Sequence, residues 1–181
     1  MPKNFLTKTI VAAIILMSSC FFVYALPEGE QVVAGSASFD RTADTLQVST
    51  PSDKLIINYN SFNIGASETV RFAQPSASSI VLNRVTGVDP SSILGTMSAN
   101  GRVFLVNPNG IVFGAGSKVD VAGLVASTLN ITNEDFLSGN YVFSKTGKAG
   151  YIINEGTITA QSNGYVCLLG HAVDNRMVIQ A

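Results

Sequence analysis

Apolar and polar side chains alternate along this chain in short runs separated by Gly, Asn, Ser and Thr. Leu55, Ile57 and Tyr59 fall on one face of an extended segment, as do Val70 with Phe72 and Ile158 with Ala160. Two further runs, Val103–Val106 and Ile111–Phe113, are apolar throughout, which predicts two buried strands. Between them stands Asn107-Pro-Asn-Gly110, whose chemistry is that of a tight turn. Pro108 presets φ at the second position, Asn107 can accept a backbone hydrogen bond, and Asn109-Gly110 tolerate the remaining angles. Many short strands joined by such turns predict an all-β domain.

The pattern also repeats. Asn154-Glu-Gly-Thr-Ile-Thr-Ala160 aligns with Asn175-Arg-Met-Val-Ile-Gln-Ala181, Asn154 falling on Asn175 and Ile158 on Ile179. Gly95–Leu105 resembles Gly156–Leu168 in the same way, and Gly95, Gly116 and Gly156 are spaced close to one and two such periods. A hairpin in a sandwich explains any single Asn-Gly. A recurrence near 21 favours a β-solenoid, in which each turn pairs with the turns above and below at roughly 4.8 Å. Asn at equivalent positions can then form hydrogen-bonded ladders between turns. The repeat is still running at Ala181, so the chain is expected to be the N-terminal part of a longer protein; a truncated reading frame has the same appearance.

The segment before Leu26 breaks this pattern. Lys3 and Lys8 are the only charges before Glu28, Ile10–Met17 is an apolar core, and Val23-Tyr-Ala25 places small residues where a signal peptidase reads. Residues 1–25 are therefore expected to be a signal peptide cut between Ala25 and Leu26, leaving residues 26–181 as the mature domain. The alternatives are a retained membrane anchor, for which the apolar run is short of the ~20 residues needed, and lipidation at Cys20, after which more apolar residues follow.

Composition narrows the function. Charged residues make up 13% against 46% hydrophobic, which excludes a disordered chain, and the net charge of −1 gives no general attraction to nucleic acid. Leader removal also removes Cys20 and leaves Cys167 alone, so no internal disulfide forms and stability must come from packing. Cys167, in the run Tyr165–Leu169, reads as a small buried residue.

The segments Ile80-Val-Leu-Asn-Arg-Val-Thr-Gly87, Ser92–Gly95, Ala99-Asn-Gly-Arg-Val-Phe-Leu-Val-Asn-Pro-Asn-Gly-Ile-Val-Phe-Gly114 and Gly123-Leu-Val-Ala-Ser-Thr128 together resemble the N-terminal secretion domain of the filamentous-haemagglutinin family. This is the haemagglutination-activity domain of the two-partner-secretion exoproteins of Gram-negative bacteria. The resemblance runs from Leu26 to the last residue and includes Tyr59–Ile64 and Glu68–Phe72, with Tyr59 where many members have Trp. It implies an all-β fold, a right-handed single-stranded parallel β-helix with an N-terminal cap and a rung length matching the recurrence above. It also implies a partner, an outer-membrane β-barrel transporter with periplasmic POTRA domains. By position, Asn107, Pro108, Asn109 and Gly110 become the expected secretion motif, with Asn83 and Arg84 as further candidates. Some relatives carry an earlier Asn-Pro-Asn-Leu motif, which this sequence lacks.

Three function classes stay in view. The first is a non-enzymatic secretion module that leads a larger adhesin or exoprotein to the cell surface, for which no phosphate-cradling Gly-Lys-Ser/Thr motif is needed or found. The second is a β-helix enzyme acting on polysaccharide. Its chemistry needs positioned carboxylates or an acid–metal cluster, whereas the only adjacent acids, Glu134-Asp135, read as a helix start or loop and His171 has no partners for a metal. No catalytic residue, metal or cofactor is therefore expected. The third is an adhesin or haem-acquisition fragment that binds a host ligand itself.

Overall fold

The computed structural model describes residues 25–145, 147 and 150–181. The leader expected at residues 1–25 thus lies outside them, apart from Ala25. Two cap strands, β1 (Gln31–Ala34) and β2 (Ser38–Arg41), precede a coil that climbs three strands at a time. Its first turn holds β3 (Thr45–Ser49) and β4 (Lys54–Tyr59), and its second β5 (Thr69–Ala73), β6 (Ile80–Val85) and β7 (Ser91–Ile93). The third holds β8 (Thr96–Ala99), β9 (Arg102–Val106) and β10 (Ile111–Phe113). Next come β11 (Lys118–Val121) and β12 (Gly123–Ser127), an excursion containing helix α1 (Asn133–Ser138), and β13 (Tyr151–Asn154). The last described turns hold β14 (Thr157–Ala160), β15 (Val166–Leu169), β16 (Ala172–Asn175) and β17 (Ile179–Gln180).

Corresponding strands stack into three sheets, ordered β1-β4-β6-β9-β12-β15, β16-β13-β10-β7 and β17-β14-β11-β8-β5-β3-β2. Every pairing between turns is parallel, while β1 on β4 and β2 on β3 are antiparallel and close the first turn. This is a parallel β-solenoid with an N-terminal cap, as expected.

Register turns the alternation into columns. Leu55, Val81, Val103, Leu124 and Val166 stack down the inside of the first sheet. Leu46, Val70, Met97, Val119, Ile158 and Ile179 do the same in the third. Ile111, Ile152 and Val173 form a column in the second sheet, and at the last described turn Val173 and Ile179 are solvent-exposed. Asn154 stacks on Asn175, and its side-chain amide donates to the Asn175 carbonyl oxygen at 2.7 Å.

Two expectations need correction. The expected period holds from Ser91 to Ile111, from Arg102 to Gly123 and from Asn154 to Asn175. The first turns are longer, as the steps from Leu46 to Val70 and from Val70 to Met97 show, and the excursion stretches the step from Val119 to Ile158 further still. Corners absorb these extra residues while strand spacing fixes the rise. Gly116 is also not the equivalent of Gly95 and Gly156. Lys118 pairs with Thr96 and with Thr157, which puts Ser117 in the column, and Gly116 instead adopts the left-handed turn conformation at φ 85°.

Gly95 marks a close approach between turns, where a Cβ would collide with the backbone oxygens of Gly65 and Glu68. Neither oxygen can swing away, because both accept backbone bonds, from Glu68 N and Thr96 N respectively. Gly95→Ala is expected to cost about 2–3 kcal/mol through overpacking, read as a lowered urea midpoint with an unchanged slope.

Candidate functional site

A second apolar cluster lies on the outside of the first sheet. Ile56, Ile80, Leu82, Phe104, Val106 and Val125 point away from the coil interior and are buried with Ile131 and Phe136 of the excursion. Phe104 makes edge contacts with Phe136 and Tyr141 at centroid distances of 5.7 and 5.1 Å. This explains the apolar runs of the first sheet, Val103–Val106 among them: one face packs inside the coil and the other packs under α1. Cys167 lies half-buried at the edge of this second cluster, in keeping with its reading as a packing residue.

Helix α1 starts where Thr132-Asn-Glu-Asp135 suggests. Thr132 accepts from the Asp135 N–H at 3.0 Å and donates to its carboxylate at 2.7 Å. The Asp135 carboxylate also accepts from the Asn140 amide at 3.0 Å. Its oxygens are thus engaged in capping, while Glu134 stands exposed.

Arg84 ties this excursion to the sheet. Its guanidinium donates to Asn133 Oδ1 at 2.8 Å, Ile131 O at 2.7 Å, Asn130 Oδ1 at 3.2 Å and Asn58 Oδ1 at 3.3 Å. Partial burial among neutral acceptors lowers its pKa from the ordinary arginine value. Its neighbour Asn83 points the other way, into the coil, in the column Ile57–Asn83–Leu105. Fully buried, it donates to Phe104 O at 3.3 Å.

The turn at 107–110 is stitched to the turn before it. Asn107 is fully buried; its amide donates to Asp89 O and to Ser91 Oγ, both at 3.0 Å. Its carbonyl oxygen accepts from the Asn109 N–H at 3.0 Å and from the Asn109 amide at 2.9 Å. Asn109 reaches back to Gly87 O at 3.0 Å, and Gly110 N closes the turn on Asn107 O at 3.1 Å. Gly110 sits at φ 132°, open to glycine alone without strain. From the other side Gly150 presses on the turn, where a Cβ would lie 2.5 Å from Pro108 O.

The structure therefore brings Asn107, Pro108, Asn109 and Gly110 together with a partner that sequence reasoning missed, the loop Thr86–Pro90. The two asparagines hold that loop through its carbonyls on either side of Val88, which is left 77% exposed. Only the Gly and Pro punctuation of Gly87-Val-Asp-Pro90 hinted at a loop. Asn83 and Arg84 lie away from this surface in their contacts, one inside the coil and one beneath the excursion. Ala25 and Leu26 are at the cap, with Leu26 buried in the inner core.

Comparison with known proteins agrees with this architecture. The family model described as TPS secretion domain matches residues 24–181. The heme/hemopexin-binding protein of Haemophilus influenzae strain Rd is 33% identical over 182 residues, covering 95% of this chain and 20% of that protein. A second H. influenzae heme/hemopexin-binding protein is 34% identical over 155 residues, covering 82% of this chain and 17% of its own. The chain thus spans about a fifth of the length of these relatives. The crystal structure of the HMW1 secretion domain from H. influenzae superposes with a TM-score of 0.80 at 39% identity, over 83% of this chain and 41% of that one. Matched from residue 24 to its last residue by the family model and over 83% of its length by fold, the chain belongs to the TPS secretion domain family, the secretion modules of exoproteins exported with a partner outer-membrane transporter.

Proposed function

We propose that this domain is the recognition and export module of a longer exoprotein, delivered by the Sec route to the periplasm and engaged there by the POTRA domains of a dedicated β-barrel transporter. The observation that carries the reading is the family match across residues 24–181 on a solenoid that repeats turn by turn. A fold of this kind supplies a mechanism. Each turn needs only its predecessor as a template, so a chain emerging in extended form can fold progressively at the cell surface. Folding then opposes backsliding without nucleotide hydrolysis. The work is non-enzymatic and uses no cofactor.

The recognition surface in this reading is the turn at Asn107, Pro108, Asn109 and Gly110 together with the loop it holds around Val88. Asn83 and Arg84 serve it indirectly, by fixing strand β6 immediately before that loop. A second reading is direct binding of a host ligand, favoured by the printed names of the two relatives. Those names belong to proteins about five times as long, so they do not by themselves assign ligand binding to the part shared with this chain.

Expressing residues 1–181 with and without the cognate transporter tests the export role. Protein is expected in the medium only when the transporter is present; equal amounts in both cultures would overturn it.

A further inference from the structure

Among the described residues, no cation pairs with the buried carboxylate of Glu68. It is 4% exposed at the corner before β5. Its Oε1 accepts from the Ala25 backbone N–H and its Oε2 from the Gly65 N–H, both at 2.7 Å, distances short enough for an ionised acceptor. Among the described residues, the ion pairs join Arg41 to Glu30 and Arg176 to Glu155 and Asp174; none reaches Glu68. Two backbone dipoles are thin compensation for a charge taken out of water, and each carboxylate oxygen has a lone pair to spare.

The Ala25 contact places the expected leader junction against this carboxylate. Ala25 is the last residue of the expected leader, and Leu26 fills the inner core at the cap. Cutting between them removes the N–H that touches Glu68 and creates an α-ammonium one residue further on, anchored by the buried Leu26 side chain. We propose that Glu68 is the receptor for this α-ammonium group, so that leader removal exchanges a hydrogen bond from an uncharged backbone donor for a buried ion pair and locks the cap onto the first turn. The inference rests on the cut falling between Ala25 and Leu26.

The remaining charges around the cap leave the role to Glu68. Arg41 of β2 donates to Pro27 O at 2.7 Å and is neutralised by Glu30 at 3.2 Å. Asp44, before β3, accepts from Thr42 and Thr45. Glu28 is exposed, and on β4 the Tyr59 phenol is held neutral, its pKa raised by burial. The sign of the effect follows. An ammonium stabilised in the folded state has a raised pKa there, so its contribution is complete below the usual α-amino range of about 7.7–8.0 and disappears as pH rises through the folded value.

The test compares residues 26–181, which contain every member of both buried clusters, with a free Leu26 amine against the same chain carrying Gly-Ser-Ala before Leu26. The free form is expected to melt about 2–4 °C higher at pH 6, with the gap closing above pH 9 and absent in Glu68→Gln. Should Glu68→Gln fail to fold, competitive acylation of the wild-type amine still decides, with an expected pKa about one unit above the usual range. An ordinary amine pKa, equal melting of the two forms, or a gap that persists in Glu68→Gln would overturn the proposal. Mass spectrometry of the exported protein separates this from the leader assignment: a mature start other than Leu26 overturns both, whereas a Leu26 start with an ordinary amine overturns the ion pair alone.

Discussion

Replacing Arg84 by alanine is expected to release the excursion while leaving the coil intact, at a cost of about 3 kcal/mol. The guanidinium makes four hydrogen bonds to two segments: Asn58 on the sheet, and Asn130, Ile131 and Asn133 of the excursion. Bonds to a charged donor contribute about 1.5–3 kcal/mol each in isolation but are far from additive. Their loss also loosens the lid over Phe104, Leu82 and Ile56. Arg84→Lys should restore little, because one ammonium cannot reproduce a planar fork aimed at four acceptors. Hydrogen exchange provides the readout: amides of residues 129–144 should lose protection in both variants, while those of β6 and β9 keep theirs. Unchanged protection would mean that the aromatic contacts of Phe136 and Tyr141 hold the excursion by themselves.

The roles of Arg84 and of its neighbour mark where sequence reasoning reached and where it stopped. Asn154 and Asn175 stack and hydrogen-bond as their alignment implies, and Val103 and Val166 occupy one column two turns apart. These follow from sequence because a solenoid stacks equivalent positions at fixed spacing. The outer cluster did not follow. Ile80-Val-Leu82 shows that both faces of β6 are apolar, but nothing local says that Ile131 and Phe136, far later in the chain, return to cover one of them. Asn83 and Arg84 read as adjacent motif residues, yet alternation sends one inward and the other outward, so they serve different neighbours. Gly116 misled for a related reason, since a count of residues cannot distinguish a turn glycine from the column position beside it.

The same distinction, between holding a surface and being one, decides the experiment at the 107–110 turn. Asn107→Ala should be the more damaging change, costing about 3 kcal/mol, since it leaves Asp89 O, Ser91 Oγ and the Asn109 N–H without their partner in a buried site. Asn109→Ala is milder, about 1–2 kcal/mol, because half-buried Asn109 gives up its bonds to Gly87 O and Asn107 Oδ1 where water can enter. Val88→Ser removes no hydrogen bond and little burial, so stability should stay within about 0.5 kcal/mol. If the partner reads the surface that the asparagines hold in place, Val88→Ser should weaken binding to the partner transporter at least as much as Asn109→Ala, despite melting like the wild type. Binding measured below the melting temperature of every variant separates recognition from unfolding. Wild-type affinity for Val88→Ser together with lost affinity for Asn109→Ala would move recognition onto the asparagine itself. Wild-type affinity for both would leave residues 107–110 a turn that secretion needs only because the solenoid does.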